Sequence, residues 1–336
     1  IKFTFYSSGG NGMKLTTYKF KGIESVGAII DNEKLIIDLA NAEKTLARRE
    51  KRPCSSYFTD MLTLLEAGSK GRTATRKIVR SVLEKLHSSS KLDPRNTHPI
   101  NKVRLRPPVP NPRKVFALAG NYQDHIEEGG GKMDAQDKET PRVFMKPPTT
   151  TVIGMGDRIL IPPVARAIDW EGELAVVMGR RAKNVKSKDA LKYVAGYTVM
   201  NDVSERKLLI KKRTEDRPQD GWFDWLNGKW LDTFAPQGPW IVTTEDIPNP
   251  QTLDISTYIN GERKQHNNTR QMLYPVADII QYISTIITLE PGDLISTGTV
   301  SGVGNTTGTY LKPGDKVEIE ISKIGILRNS VAASKK

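Results

Sequence analysis

Short alternating and apolar runs dominate the chain, and they predict more strands than helices. Between residues 14 and 39, apolar and polar positions alternate on either side of an Asp-Asn-Glu-Lys break at 31–34, which predicts a β-hairpin. Apolar positions then recur at helical spacing and predict helices over 40–49, 57–66 and 73–87. The N-terminal part therefore predicts a small α/β unit.

The pattern changes after a proline-rich segment. Residues 106–113 contain four prolines and predict a linker, because proline disrupts helix and strand interiors. Short β-type runs follow, and only residues 276–287 predict a long helix. We therefore predict an α+β, β-rich fold with these parts: an extension over 1–12, a small N-terminal α/β domain over 13–105, the linker, and a β-rich domain over 114–332.

The composition indicates the cellular compartment and the kinds of partner to expect, and says less about the activity. None of the apolar runs reaches the roughly 20 residues that span a bilayer, and Cys54, the single cysteine, excludes an internal disulfide. We expect a cytoplasmic protein without a secretory signal or a membrane partner. The net charge of +13 favours anionic ligands. The basic residues are scattered and are not interleaved with aromatic residues, so we expect no nucleic-acid partner.

Two carboxylates at positions i and i+2 give the strongest chemical signal. Glu171 and Glu173 precede an apolar run, so on a strand they share one face where the chain enters a core. Two like charges placed there require protons or a cation. Asp202 follows another apolar run, and three carboxylates from two strands suit a hard divalent ion. The alternative is that the pair lies on an exposed edge of a sheet.

A second candidate group follows the first predicted strand of the β-rich domain. His125 and Glu128 stand three residues apart, so on a helical turn the carboxylate can orient the imidazole as a general base. A solvated surface pair is the alternative. Lys229 is by default an exposed loop lysine. Residues 296–304 are rich in glycine and predict either backbone amides that bind an anion or ordinary turns.

Six motifs in order carry a resemblance to a known family. They are Gly120-Asn121-Tyr122 with His125 and Glu128, Phe144-Met145-Lys146-Pro147, Asp169 to Leu174, Asn201 to Arg206, Gly228-Lys229 with Asp232-Thr233-Phe234, and Pro291 to Gly304. The series resembles the fumarylacetoacetate hydrolase family from about residue 114 to residue 331. The resemblance implies a mixed β-roll (fumarylacetoacetase-like) for the catalytic domain, and a homodimer.

The resemblance also implies a metal site and roles for the residues around it. It assigns Glu171, Glu173 and Asp202 to a divalent ion, commonly Mg²⁺ and alternatively Mn²⁺ or Ca²⁺. The other roles that it implies are a base dyad of His125 and Glu128, an electrophilic Lys229, and substrate binding by Arg206, Thr299 and Lys146.

The activity that the resemblance implies is cleavage of a C–C bond by a metal-dependent hydrolase or lyase. The substrate would be a 2-oxo or 2,4-diketo acid, of acylpyruvate or diketo sugar-acid type, that reacts through a metal-stabilised enolate. Alternatives are a decarboxylase, isomerase or dehydratase of a related 2-oxo acid on the same site, because one enolate-stabilising site serves several reactions. A non-catalytic relative that binds a metabolite is a further alternative.

The sequence departs from the family pattern near the site. Leu209 stands where many relatives have glutamine, Lys207 where an aspartate is usual, and Val300 where many have proline. Residues 208–227 form an enlarged insert that contains two tryptophans and a phenylalanine. The insert is either a substrate-selecting loop or a dimer contact, and the contact is favoured because aromatic residues are enriched at interfaces.

Overall fold

The computed structural model describes residues 12–88, 90–131 and 140–334. Their strands are β1 (Lys14–Phe20), β2 (Ile23–Ile30), β3 (Leu35–Asp38), β4 (Thr97–Pro99), β5 (Arg104–Leu105), β6 (Val115–Ala119), β7 (Arg142–Lys146), β8 (Val152–Ile153), β9 (Arg158–Ile161), β10 (Ile168–Asp169), β11 (Gly172–Met178), β12 (Val194–Asn201), β13 (Ser204–Glu205), β14 (Ala235–Thr243), β15 (Asp254–Ile259), β16 (Glu262–Asn268), β17 (Leu294–Ser296), β18 (Lys316–Ile321) and β19 (Gly325–Ala333).

The α-helices are fewer and mostly shorter. They are α1 (Leu39–Arg49), α2 (Met61–Glu66), α3 (Gly68–His87), α4 (Gln123–Glu128), α5 (Pro148–Thr151), α6 (Ser187–Ala190), α7 (Asp220–Asn227), α8 (Val276–Ile286) and α9 (Gly304–Thr307). Within the described ranges, no helix is both long and apolar enough to cross a membrane.

Most strands belong to one mixed sheet of twelve. Its order is β4-β3-β2-β1-β14-β12-β11-β17-β6-β7, with β5 beside β1 and β8 beside β14. Strand β1 pairs antiparallel with both β2 and β14, so the N-terminal hairpin continues the sheet that contains β11 and β12. A second, five-stranded sheet has the order β16-β15-β18-β19-β9.

Strand β11 lies at the centre of the packing and is buried along its whole length. Leu174 and Val176 belong to one apolar core, which includes residues of β15 and β18. Ala175 and Val177 belong to the other core, which includes residues of α1, α2 and α3. Successive side chains of a strand point to opposite faces, so β11 is covered on both sides. The carboxylates at its start therefore enter a densely buried region.

The β-rich α+β class that the sequence predicts is confirmed. The hairpin of β2 and β3 lies where the Asp-Asn-Glu-Lys break predicts it, and α1 and α8 begin within one residue of their predicted starts. Helix α2 is shorter than predicted, because Asp60 caps it by accepting a hydrogen bond from Thr63 N at 2.8 Å. Helix α3 begins five residues before its predicted start, at Gly68.

Helix α7 lies inside the insert, where the sequence pattern predicts no helix. The division into domains at residues 106–113 stays a prediction, although the strands on its two sides share one sheet. Of the predicted extension over 1–12, residues 1–11 lie outside the described residues.

Candidate metal centre and active site

Three carboxylates converge where β11 and β12 adjoin. Glu171 directly precedes β11, Glu173 lies in it, and Asp202 directly follows β12. The two strands are antiparallel, and Asp202 N donates a hydrogen bond to Glu171 O at 3.0 Å, which aligns the strand ends. One carboxylate oxygen from each residue lies within 4.8 Å of the others. All three are buried, at 4% exposure or less, so the alternative of an exposed sheet edge is wrong.

Glu173 provides the structural test for a cation. Its Oε2 accepts hydrogen bonds from Ser296 Oγ at 2.6 Å and from Gly298 N at 2.7 Å. Its Oε1 has no hydrogen-bond partner within the described part of the chain. Burial raises the pKa of Glu173 well above its usual range, and the charges of Asp202 and Glu171 raise it further. An oxygen-only cluster with an orphaned buried carboxylate oxygen fits a hard divalent ion.

Two lysines lie against the same carboxylates. Lys229 Nζ donates to Glu171 Oε2 at 2.8 Å and to Asp202 Oδ2 at 2.7 Å. Lys146 Nζ forms an ion pair with Asp202 Oδ1 and donates to Val203 O at 3.0 Å. Both lysines are at least 98% buried, so the default prediction of an exposed Lys229 is wrong. The site therefore combines buried negative and positive charges.

Burial acts on the pKa of both lysines, with different results. It lowers the pKa of Lys146, because the nearby Asp202 does not fully offset the loss of solvent. In Lys229 burial acts in the same direction, but Asp202 and Glu171 outweigh it and raise the pKa. Lys229 is thus a protonated ammonium group held between two of the candidate metal ligands.

Arg206 is fixed by two carboxylates. Its Nε donates to Asp169 Oδ2 at 2.8 Å, and its Nη2 is paired with Glu171 Oε1. Burial lowers the pKa of Arg206, but Glu171 and Asp169 outweigh burial and raise it overall. Burial likewise raises the pKa of Glu171, yet Lys229, Arg206 and His125 outweigh it and hold the pKa well below the usual range. Glu171 is therefore ionised.

The His125–Glu128 pair lies on α4, beside this cluster. His125 Nδ1 and Glu128 Oε1 are 2.7 Å apart, which is the hydrogen bond that their spacing predicts. Glu128 Oε2 also accepts from Gly302 N at 2.8 Å. Because His125 contributes to lowering the pKa of Glu171, the imidazole lies within electrostatic reach of the carboxylates. The pair is only partly exposed, at 20% and 16%, and so differs from a fully solvated surface pair.

The glycine-rich segment 296–304 binds the carboxylates of the protein itself. The amide N–H groups of Gly298, Gly302 and Gly304 donate to Glu173, Glu128 and Asp169 respectively. At Gly298 the backbone has φ +93°, and a Cβ there would lie 2.7 Å from Asn121 Cβ, so the close approach requires glycine. The sequence left open an anion-binding loop or ordinary turns. Three amides of the segment support carboxylates of the site, and binding of an external anion stays a prediction.

Thr299, predicted to bind substrate, is engaged by the protein. Its hydroxyl donates to Gly172 O at 3.1 Å and accepts from Gln265 Nε2 at 2.9 Å. Thr299 is 2% exposed. Its hydrogen bonds connect the glycine-rich segment to the start of β11, and a substrate-binding role stays a prediction.

The sequence predicted no role for Asp124 or for Asp169, although Asp169 begins one of the six motifs. Asp169 pairs with Arg206 and accepts from Gly304 N at 2.7 Å. Asp124 accepts from Asn267 Nδ2 at 2.6 Å and from Ser301 Oγ at 2.7 Å, which ties α4 to two other segments. The spacing Asp-x-Glu-x-Glu was a usable signal for Asp169, since the three acids continue one alternation. Nothing local marks Asp124.

Comparison with known proteins identifies the family of the chain. The family described as fumarylacetoacetate (FAA) hydrolase C-terminal matches residues 114–332. The oxaloacetate tautomerase YisK of Bacillus subtilis is 35% identical over 323 residues, which cover 95% of this chain and 100% of that protein.

Solved structures show the same fold. A fumarylacetoacetate hydrolase from Exiguobacterium antarcticum superposes with a TM-score of 0.73 at 29% identity, over 96% of this chain and 100% of that one. A maleylpyruvate hydrolase from Sphingobium sp. SYK-6, solved with manganese(II) and pyruvate, gives a TM-score of 0.69 at 25% identity over the same shares. The chain therefore belongs to the fumarylacetoacetate hydrolase family of enzymes.

Proposed function

We propose that the protein interconverts the keto and enol forms of a 2-oxo dicarboxylic acid of the oxaloacetate type. The main support for this proposal is the His125–Glu128 pair, which lies beside a buried cluster of carboxylates and cations. A general base next to a site that stabilises negative charge is what proton transfer at a carbon beside a carbonyl requires. Similarity to an oxaloacetate tautomerase along almost the whole chain supports tautomerisation over C–C cleavage.

With a divalent ion bound, the charge at the site would suit an anionic substrate. We propose that Glu171, Glu173 and Asp202 hold Mg²⁺, which would supply Lewis-acid stabilisation of negative charge on the 2-oxo group. Arg206 uses Nε and Nη2 for its protein partners, and its remaining N–H groups can bind a substrate carboxylate. Lys146 adds a second buried cation at the same place.

His125, oriented by Glu128, takes and returns the proton at C3 of the substrate. With Nδ1 directed at Glu128, the imidazole presents Nε2 as the base. In the keto-to-enol direction Nε2 takes a proton from C3, the C3–H electron pair forms the C2–C3 double bond, and the negative charge moves to the C2 oxygen. Lys229 Nζ holds a proton that this oxygen can share, and the reverse sequence returns the proton from His125 to C3.

Hydrolysis of a C–C bond in an acylpyruvate-type acid is the second candidate. Similarity to a maleylpyruvate hydrolase supports it. Here His125 would take a proton from water, which attacks the distal carbonyl, and the bond to that carbonyl would break. Hydrolysis releases two acids, whereas tautomerisation releases none, so the products separate the two candidates.

A substrate panel tests the proposal. Purified protein with Mg²⁺ or Mn²⁺ is mixed with enol-oxaloacetate and with an acylpyruvate, and products are followed by ultraviolet absorbance and by proton NMR. We expect loss of the enol absorbance far above the blank with no new carboxylic acid, and none of this activity in Glu171→Gln. Two acids from the acylpyruvate, with no effect on the enol, would instead support the hydrolase.

We also propose a homodimer in which the insert contributes to the contact. Ile210, Trp222 and Phe223 are 69%, 54% and 51% exposed, and large exposed apolar side chains in one segment are typical of interfaces. Light scattering on the purified protein should give twice the mass of the 37.5 kDa chain. A monomer at micromolar concentration would contradict this.

A further inference from the structure

The ammonium group of Lys229 contacts two aromatic rings as well as two carboxylates. Its Nζ lies 5.3 Å from the centroid of the Phe144 ring and 5.5 Å from that of the Trp225 ring. An ammonium within about 6 Å of an aromatic face is attracted by the ring quadrupole, and more strongly when water is excluded. Lys229 is 2% exposed, so the interaction takes place in a desolvated site.

The two rings support each other. Phe144 and Trp225 are in edge-to-face contact, with centroids 5.1 Å apart and planes at 73°. This is a favoured geometry for aromatic pairs. Phe144 belongs to β7, a strand of the large sheet, and is 8% exposed, so it provides a fixed wall. Trp225 forms the outer wall and comes from the insert.

The insert is built to hold Trp225 in this place. Arg213 contacts helix α7 through an ion pair with Asp224 and also donates to Asp216 at 2.7 Å. The helix ends at Gly228, where a Cβ would lie 2.2 Å from Glu205 O, and Glu205 N donates to Gly228 O at 2.9 Å. Lys229 follows at once. The end of the helix therefore packs against β13, which places both Trp225 and Lys229 at the site.

The other aromatic residues of the helix do not share this role. Trp222 and Phe223 contact each other edge-to-face at 5.1 Å and are both more than half exposed. Trp222 therefore offers a matched control for the contact with Lys229: it is the same residue type in the same helix, and its ring packs against Phe223.

We propose that Trp225, with Phe144, forms an aromatic cage that positions the Lys229 ammonium between Glu171 and Asp202 and keeps water from it. Trp225 is then a positioning residue, and the insert acts on the chemistry through it. Its kinetic consequence rests on the proposed function, since that function assigns Lys229 to the reacting oxygen. The cage itself does not depend on the reaction.

Two measurements on the metal-loaded protein test the cage. The first is the tautomerase rate of Trp225→Leu, Trp225→Phe and the control Trp222→Leu. We expect Trp225→Leu to lower kcat about tenfold with little change in KM, because the loss of one desolvated cation–π contact displaces Lys229. Trp225→Phe keeps an aromatic face and should recover most of kcat. Trp222→Leu, compared at a mass by light scattering equal to that of the wild type, should match the wild-type kcat.

The second measurement needs no activity. The native protein is treated briefly with an amine-acylating reagent, and mass spectrometry compares modification of Lys229 with that of the exposed Lys188. Modification of Lys229 should rise several-fold in Trp225→Leu and stay at the wild-type level in Trp225→Phe and Trp222→Leu. Unchanged labelling and unchanged kcat in a folded Trp225→Leu variant would overturn the cage.

Two further results keep the test decisive. If Trp225→Leu does not fold, Phe144→Leu removes the other wall and is judged by the same two criteria. If the wild type does not act on enol-oxaloacetate, the proposed function fails, whereas the labelling ratio still decides whether Trp225 shields Lys229.

Discussion

Replacing Glu173 by glutamine separates metal binding from folding. The buried cluster contains four carboxylates, Asp169, Glu171, Glu173 and Asp202, against the three cations Lys146, Lys229 and Arg206. Without a metal ion the surplus negative charge is relieved by protonation of Glu173, whose pKa burial raises well above the usual range. Glutamine has nearly the shape of a protonated glutamate. It should therefore leave the metal-free fold almost unchanged.

The magnitude of each effect can be estimated. The metal-free variant should lie within about 1 kcal/mol of the wild type, because the hydrogen bonds to Ser296 and Gly298 can be kept. At a metal concentration of about one hundred times Kd, the wild type gains about 2.7 kcal/mol, roughly 4 °C in melting temperature. If Glu173→Gln weakens the affinity for the metal about a hundredfold, the variant gains only about 0.4 kcal/mol at the same metal concentration, less than about 1 °C in melting temperature.

The assay is thermal unfolding of chelator-treated protein during a titration with Mg²⁺ or Mn²⁺. Glu43→Gln is a matched control, because Glu43 is equally buried but is paired with Arg52 at 2.7 Å. The control should lose about 2 kcal/mol at every metal concentration and keep the metal-dependent gain. A Glu173→Gln protein that melts many degrees lower without metal, or that keeps the full metal-dependent gain, would refute the reasoning.

Three further predictions follow from single contacts. His125→Gln should lower kcat by about 10²- to 10⁴-fold, the usual contribution of a general base, and leave the metal-dependent gain in melting temperature intact; loss of that gain would contradict the separation of dyad and metal site. Asp124→Asn should lower kcat about tenfold, because it weakens the contact that holds α4 to Ser301. Ser301→Ala should lower kcat less in the Asp124→Asn variant than in the wild type, and fully additive losses would contradict a shared contact. Burial raises the pKa of Glu43, but the hydrogen bonds from Arg52 and Ser55 outweigh burial and lower the pKa overall. The stability that this carboxylate contributes is therefore present above the usual glutamate pKa of about 4.3 and is lost as pH falls. Glu43→Gln should lower the free energy of unfolding in urea less at pH 3 than at pH 7, and an equal loss at both would contradict this.

The sequence predicts the metal centre better than its surroundings. Glu171, Glu173 and Asp202 could be grouped because strand alternation and the apolar runs around them are local signals. The fold class followed from the same signals.

The contacts that orient the site could not be predicted in this way. Glu128 is held by Gly302, 174 positions along the chain, and Lys229 by Glu171, 58 positions away. Such pairs depend on how the sheets pack, which no local pattern encodes. Helix α7 was missed for a different reason: it has only eight residues, so the helical spacing of Trp222, Trp225 and Leu226 covers barely two turns and is too short to predict a helix.

Exchange of hydrogen for deuterium at C3 of oxaloacetate tests the central claim most directly. The reaction runs in D₂O with Mg²⁺ and is followed by proton NMR, against a blank of buffer and metal and against Glu171→Gln. We predict metal-dependent loss of the C3 proton signal far above the blank, no cleavage product, and no acceleration by Glu171→Gln. A wild-type protein that binds the metal and exchanges C3 no faster than the blank would contradict the account.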